Sequence, residues 1–248
     1  PERRLPLSHT VSAAELRRRI PGYQDPDVTG AACWYDAQVQ NAERLVLAFV
    51  MSAVRAGADA LNYVEAESIE GHQGRVRTVR ATDRLSGTPF ELQCEAVIDC
   101  RGPWASEGLS EAFKKQPVWT SWAKAINLVI RREIAPQALG FKPAAASGAL
   151  NRFLFTVPWR GRNILGTWYY PGNPHGDGHG LTEAELTACL AQVNSRFPAA
   201  NLVPEDVSLV HWGWLPAQAT GSKDAEPPLL PKARILARDR HGGLAGSF

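Results

Sequence analysis

Two histidines and an aspartate at alternate positions of one loop are of the residue types that could bind a metal ion. His175, Asp177 and His179 carry groups that bind metal ions, yet no fourth ligand or rigid framework accompanies them. Glycines surround them, but a phosphate-binding loop needs the register G-x-G-x-x-G between a strand and a helix. The register here is different, so we predict a glycine-rich loop without a metal ion or a nucleotide. Those glycines are Gly172, Gly176, Gly178 and Gly180.

The chain offers no recognisable nucleophile for hydrolysis. None of its serines or cysteines lies in a G-x-S-x-G elbow or a comparable turn. Its cysteines show no C-x-x-C spacing, which argues against a structural zinc site and a disulfide framework. We therefore expect reduced thiols and a cytoplasmic protein. The cysteines are Cys33, Cys94, Cys100 and Cys189.

The tryptophans leave two interpretations open. Trp159 and Trp168 flank an expected hairpin, and Trp212 and Trp214 lie on one expected strand. They could line an aromatic pocket, but large aromatic side chains on strands more often belong to the core. We favour the core.

Composition limits the classes of function. With 248 residues, 44% of them hydrophobic, the chain can bury one sizeable core or two modest ones. A net charge of +2 gives no field that would favour nucleic acid, and small charged substrates stay possible. The longest apolar stretch, Leu45–Met51, is far shorter than the roughly 20 residues that span a bilayer. Peripheral membrane contact of the parent protein stays open.

Two capping patterns predict short helices. Ser12 and Glu15 can begin a helix that runs to about Ile20, and Thr182 and Glu185 can begin another that runs to about Phe197. Three consecutive arginines at 17–19 could bind phosphate, but consecutive helical residues point in different directions, which favours a solvated face.

A longer helix should follow Asn41, with Gly57 at its carboxyl end. Its interior is apolar nearly all round, so we predict that it is buried on most sides. The next residues, Ala60–Val64, form an expected strand, and the order helix, glycine turn, strand is typical of the units that build parallel sheets.

The next segment should be a β-ribbon in place of a crossover helix. Residues Arg75–Asp83 and Thr88–Glu95 alternate in polarity around Leu85-Ser86-Gly87. Ala96–Ile98 then has the apolar pattern of a fully covered strand. Gly102 follows, where backbone can approach a ligand closely.

The remaining strands predict an antiparallel sheet, so the fold class is α+β: an antiparallel-sheet domain plus part of an α/β domain. The expected boundaries are an entry segment at 1–29, a partial α/β domain at 30–105 and a sheet domain at 106–248. A proline-rich loop at Glu226–Pro231 should precede the last strand. The strands are Ala125–Arg132, Phe153–Val157, Asn163–Tyr170, Val207–Trp212 and Ala233–Arg238.

Several short motifs follow one another along most of the chain. They are Tyr35–Val39, Ala42–Leu47, Leu61–Tyr63, Asp83–Gly87, Ala96–Trp104 and Phe155–Thr167. In this order and at this spacing they resemble the middle of the FAD-dependent glycerol-3-phosphate dehydrogenase family, within the D-amino-acid-oxidase-like flavoproteins. The resemblance implies an FAD-binding domain made of separate chain segments and a substrate domain on an antiparallel sheet.

The resemblance also implies which residues lie beside FAD. These are Val64, through its backbone, with Gly102 and Trp104. The family's glycine-rich first turn would precede Pro1, and its G-G-K-x-T-T segment would follow Phe248, so we expect an interior piece of a longer protein. Because pyrophosphate binding depends on the free N–H groups of that first turn, we expect the isolated chain to be flavin-free.

The family oxidises a secondary alcohol, with hydride transfer to flavin and electrons passing to quinone. The resemblance places Lys124, Asn127, Thr167, Leu215 and Arg238 at its substrate site. Asn127 replaces a histidine, and an asparagine cannot accept a proton near neutral pH. No catalytic base is predicted.

A second departure removes positive charge, because Leu215 stands where the family has arginine. The loss of one charge-assisted bond costs about 1.5–3 kcal/mol, on the order of ten- to a hundredfold in affinity. Two hypotheses follow: an oxidoreductase with an altered substrate, or a binding or regulatory module that keeps the flavoprotein fold without turnover.

Overall fold

The computed structural model describes residues 5–107, 121–144, 152–174, 176, 180–219 and 226–230. The chain divides into two compact units. The first consists of Pro1–Asn41, Lys124–Tyr170 and Gly178–Gly213, and the second of Ala42–Ala123, Pro171–Asp177 and Trp214–Phe248. Each unit is therefore assembled from chain segments that are distant in sequence. The domain boundaries expected from the sequence stay a prediction.

The main sheet of the structure has five strands. Strand β8 (Leu154–Trp159) pairs antiparallel with β9 (Arg162–Gly172), which confirms the predicted hairpin. Strand β7 (Leu139–Phe141), which the sequence did not predict, pairs antiparallel with β8. The sheet order is β10-β6-β9-β8-β7, which makes β6 and β9 neighbours although about forty residues separate them along the chain. The bounds are β6 Ser121–Ile130, β7 Leu139–Phe141, β8 Leu154–Trp159, β9 Arg162–Gly172 and β10 Val207–Ala217.

A short hairpin-like pair and two helices complete the first unit. They are β1 His9–Ser12, α1 Ala13–Arg19, β2 Gly30–Cys33 and α3 Glu183–Asn194, with β1 antiparallel to β2. The capping box of α3 is confirmed, because the Thr182 hydroxyl accepts from the Glu185 N–H at 3.2 Å and the Glu185 carboxylate accepts from the Thr182 N–H at 2.8 Å. Ser12 caps α1, but the Glu15 carboxylate binds Arg18 and Arg19 instead of completing a box.

One face of the sheet packs against these helices. Ile126, Leu128 and Ile130 alternate along β6 and are fully buried in one cluster with Leu165 of β9. The same cluster holds residues of both helices, which fixes that face as the covered one. The helical members are Leu16, Cys189, Leu190 and Val193.

The second unit contains a three-stranded antiparallel ribbon in the order β3-β4-β5. The predicted hairpin is confirmed, with Thr82 opposite Pro89. The Asp83 carboxylate accepts from Leu85 N–H and Ser86 hydroxyl, each at 2.8 Å, and these bonds hold the pKa of that carboxyl below its ordinary value. The bounds are β3 Val64–His72, β4 Arg75–Asp83 and β5 Pro89–Gln93.

The long helix of the second unit, α2 Ala42–Arg55, ends as predicted but is not buried as predicted. Gly57 has φ +98°, and Ala58 N–H donates to the Ala53 carbonyl at 3.0 Å, which closes the carboxyl end. No residue of α2 is buried, and Phe49 is 72% exposed. The prediction of burial was therefore wrong. An apolar composition shows that a helix needs a neighbour to cover its side chains, but among the described residues no segment covers α2.

The two strands expected on either side of the ribbon are also absent as strands. Residues 60–63 have no ladder partner, and Val97 makes only an isolated bridge among residues 96–98. A strand is stabilised by its neighbours, so an apolar pattern alone cannot form one. Leu61 and Ile98 are accordingly 61% and 70% exposed.

Several predictions fall outside the described residues, namely the strand Ala233–Arg238 and the loop positions His175, Asp177 and His179. In the described proline-rich segment, Leu229 bridges to Ala217. Among the helices that the structure describes, none has the length and apolar character needed to cross a membrane.

Candidate functional site

Asn127 and Thr167 meet on the neighbouring strands β6 and β9. The Thr167 hydroxyl donates to the Asn127 side-chain oxygen Oδ1 at 2.8 Å, and both residues are half-buried. A neutral hydrogen bond of this kind contributes about 0.5–1.5 kcal/mol and holds the two side chains together. The resemblance assigned these two residues to one substrate site, and the structure brings them together.

Gly166 makes room for this contact. Its φ is +139°, and a Cβ added there would lie 2.6 Å from Asn127 Oδ1 and 2.8 Å from the Ile126 carbonyl oxygen. Both distances are shorter than real Cβ contacts, so only glycine fits at this point of β9. Sequence analysis missed Gly166 as a site residue, although it directly precedes Thr167.

Lys124 lies on the same strand as Asn127 but on the other face of the sheet. Its ammonium group binds both carboxylate oxygens of Glu185 on α3, at 2.9 and 3.1 Å, and lies 5.6 Å from the Tyr170 ring centre. Positions 124, 126 and 128 therefore face α3, and position 127 faces away. The structure does not bring Lys124 to Asn127.

The ion pair changes the titration of Glu185. Partial burial works to raise the pKa of this carboxyl, but hydrogen bonds from Thr182 and Lys124 outweigh it, so the pKa lies below its ordinary value. Glu185 thus stays ionised at neutral pH and holds Lys124 against α3. Sequence reasoning used Glu185 only as a helix cap.

Cys189 sits beside this pair and is not a nucleophile. Its Sγ lies 3.3 Å from the Tyr170 hydroxyl, and burial raises the pKa of the thiol to about 12. Because the thiolate is the reactive form, this thiol is inert near neutral pH.

The three residues expected beside FAD lie in the second unit. Val64 begins β3, half-buried and opposite Asp83. Gly102 has φ +63° with open space where a Cβ would be, and it begins a 3₁₀ turn, Gly102–Glu107. Trp104 in that turn is 48% exposed. An open glycine and an exposed indole fit contact with a flat aromatic ring system.

An ion pair shapes the chain just before that turn. The Asp99 side chain is only 3% exposed, and its carboxylate binds the Arg101 guanidinium at 2.9 and 3.0 Å and the Arg101 N–H at 3.1 Å. These bonds tie the Asp99 side chain to both the backbone and the guanidinium of Arg101. Of the other expected substrate residues, Leu215 lies on β10 and is 38% exposed, and Arg238 lies outside the described residues.

The tryptophans differ in burial, and two of them belong to the core as the favoured interpretation predicts. Trp168 is buried, and its indole N–H donates to Gln192 on α3 at 2.7 Å. Trp214 is also buried, whereas Trp212 is 38% exposed. Trp159 is half-buried, its N–H bound to the Gln40 carbonyl at 3.1 Å. Trp168 thus reaches the core with its indole N–H satisfied.

Comparison with solved structures gives the fold. The structure superimposes on glycerol-3-phosphate dehydrogenase from Bacillus halodurans complexed with FAD with a TM-score of 0.70, at 24% identity, covering 83% of this chain and 41% of that one. It superimposes on glycine oxidase from Bacillus cereus with a TM-score of 0.61, at 20% identity, covering 88% and 56%. These similarities place the antiparallel sheet and the ribbon in the fold of flavin-dependent oxidoreductases.

Sequence comparison gives the family. The chain is 28% identical to the glycerol-3-phosphate dehydrogenase of Synechocystis sp., over 90% of this chain and 42% of that protein. It is 29% identical to the mitochondrial glycerol-3-phosphate dehydrogenase of Mesocricetus auratus, over 94% and 32%. It thus spans less than half the length of these relatives. The family model for FAD-dependent oxidoreductases (DAO) matches residues 2–240, and the chain therefore belongs to that family.

Proposed function

We propose that the whole gene product is an FAD-dependent dehydrogenase that oxidises a small polar substrate, a secondary alcohol by analogy with the relatives, on the sheet face that carries Asn127 and Thr167. The observation that carries this proposal is the 2.8 Å bond between these two side chains, beside a glycine that leaves room for them. An oriented polar pair on a half-buried sheet face is what a small polar ligand requires.

When bound, FAD would supply the two-electron acceptor. In this chain the cofactor would be held by Gly102, Trp104 and the backbone at Val64. The Asn127 amide binds and orients substrate but takes no proton, because an amide is not a base near neutral pH. Proton removal therefore falls to another group of the whole protein or to solvent.

A second candidate function is a binding or regulatory module without turnover. Asn127 favours it because the family's histidine is replaced. Leu215 favours it because an uncharged, partly exposed side chain stands in place of a phosphate-binding arginine.

We further propose that the dehydrogenase would act in the cytoplasm or on a membrane surface facing it. It would pass electrons to quinone or a similar acceptor.

Anaerobic reduction of the flavin separates the two functions. The whole gene product, loaded with FAD, is mixed with glycerol 3-phosphate and then with other secondary alcohols, amines and phosphate esters. Bleaching of the flavin absorbance by one of them supports the dehydrogenase, and binding without bleaching across the panel supports the module.

A matched pair of variants tests the site. Thr167→Val removes the hydroxyl that orients Asn127 and should lower kcat/KM roughly tenfold, the loss of about 1.4 kcal/mol. Thr82→Val removes a comparable hydroxyl, which donates to Glu67 at 2.7 Å on the exposed ribbon, and should leave kcat/KM unchanged. Equal effects of the two variants would count against the site.

A further inference from the structure

The Asn127 amide turns its oxygen towards the Thr167 hydroxyl and leaves its nitrogen for another partner. We infer that it is a specificity-determining hydrogen-bond donor, whose Nδ2 binds a ligand oxygen that carries lone pairs and no hydrogen, such as a carbonyl, carboxylate or phosphate oxygen. The inference rests on the proposed function, since it concerns the same sheet face, and it names the chemistry that this face selects. It predicts a preference for acceptor groups over ammonium and other donor-only groups.

The first argument is the occupancy of the two ends of the amide. Oδ1 accepts from the Thr167 hydroxyl at 2.8 Å. Within the part of the chain that the structure describes, no hydrogen-bond partner is found for Nδ2 of Asn127. The residue is half-buried, so its two N–H donors are partly withdrawn from water and gain from a ligand acceptor.

The second argument is a contrast with Asn163, at the start of the neighbouring strand β9. Its Oδ1 accepts from Ile134 N–H at 2.7 Å, and its Nδ2 donates to the Ala135 carbonyl at 3.2 Å and the Thr156 hydroxyl at 3.0 Å. Asn163 is fully buried and satisfied at both ends. It is a structural residue, whereas the nitrogen end of Asn127 is left available.

The third argument is the backbone around the amide. The glycine at 166 lets β9 approach until Asn127 Oδ1 lies 2.6 Å from where a Cβ would stand. The oxygen end is thus enclosed by β9, and the nitrogen end is the one that remains for a ligand. An amide donor recognises an acceptor without carrying charge.

The test is a titration of the side-chain amides by nuclear magnetic resonance. The whole gene product is labelled with ¹⁵N at asparagine, and the Asn127 signal is assigned by its loss in Asn127→Asp. Acetate is the acceptor-only probe, and methylammonium, similar in size, is the donor-only probe. We expect acetate to shift the Asn127 NH₂ signals saturably in the millimolar range and methylammonium to leave them in place.

Asn163 is the internal control, and its NH₂ signals should move with neither probe. A response of Asn127 to methylammonium alone would overturn the inference, because it would mean that the amide is turned the other way. No response to either probe would overturn it as well. If acetate binds as expected while no substrate bleaches the flavin, the donor assignment stands and the dehydrogenase proposal fails.

Discussion

Replacing Gly166 with alanine tests the contact on which the candidate site depends. The new Cβ would meet Asn127 Oδ1 at 2.6 Å and the Ile126 carbonyl oxygen at 2.8 Å, on backbone with φ +139°. The backbone region costs a residue other than glycine on the order of 1–3 kcal/mol. Overpacking against two oxygen atoms adds about 1–3 kcal/mol. We therefore expect the free energy of unfolding to fall by about 2–6 kcal/mol.

Gly161 supplies the matched control. It lies in the β8–β9 hairpin with φ +71°, and a Cβ there would meet nothing within 4 Å. Gly161→Ala should thus cost only the conformational strain, about 1–2 kcal/mol. The difference between the two variants isolates the close approach at Gly166, and urea unfolding followed by tryptophan fluorescence measures it.

A double variant locates the origin of the cost. Adding Asn127→Ala to Gly166→Ala removes the 2.6 Å overlap and leaves the 2.8 Å approach to Ile126. We expect the two substitutions to couple by more than about 0.5 kcal/mol, since they share one contact. The reasoning is refuted if Gly166→Ala is as stable as Gly161→Ala, or if the double variant shows simple additivity.

Three further outcomes follow from the structure. Phe49→Glu should reduce the fluorescence of a bound hydrophobic dye and change the free energy of unfolding by less than about 1 kcal/mol, because Phe49 is exposed; a large destabilisation would show that the ring is covered. Because the pKa of Glu185 is lower in the folded protein than its ordinary value of 4.5, the ionised carboxylate stabilises the fold at a pH above 4.5. This stabilisation is lost as the pH falls through the lowered pKa of the folded state. Glu185→Gln should therefore flatten the acid limb of urea unfolding, and an unchanged limb would contradict the ion pair. A thiol reagent at neutral pH should label the exposed Cys100 and spare the buried Cys189, and equal labelling would contradict the burial.

The features that the sequence predicts well are those set by neighbouring residues. Thr182 and Glu185 cap α3 because both partners lie within one turn. The turn at Asp83–Gly87 forms because its own carboxylate binds the next N–H groups. Strands of the main sheet are also predicted, because the two-residue alternation of apolar and polar side chains depends only on which face of the sheet is covered.

The features that the sequence predicts poorly depend on residues far away along the chain. The apolar residues of α2 need a packing partner, but the sequence of the helix does not say which segment would provide one. Likewise, the position of Lys124 opposite Glu185 joins two elements about sixty residues apart. The opposite faces of Lys124 and Asn127 could have been read from the two-residue period of a strand, but motif similarity placed both at one site.

The divided first unit has a consequence for biosynthesis. Its residues up to Asn41 pack with segments that extend to Gly213, so about 170 residues separate the synthesis of the first part from that of the last. At typical translation rates this interval is roughly 10–35 s. In the folded protein the same core cluster contains Leu16, Ile20, Tyr23 and residues of α3. During that interval α3 has not yet been synthesised, so these three side chains cannot pack against it. In a nascent chain α1 therefore lacks these packing partners until α3 has been synthesised.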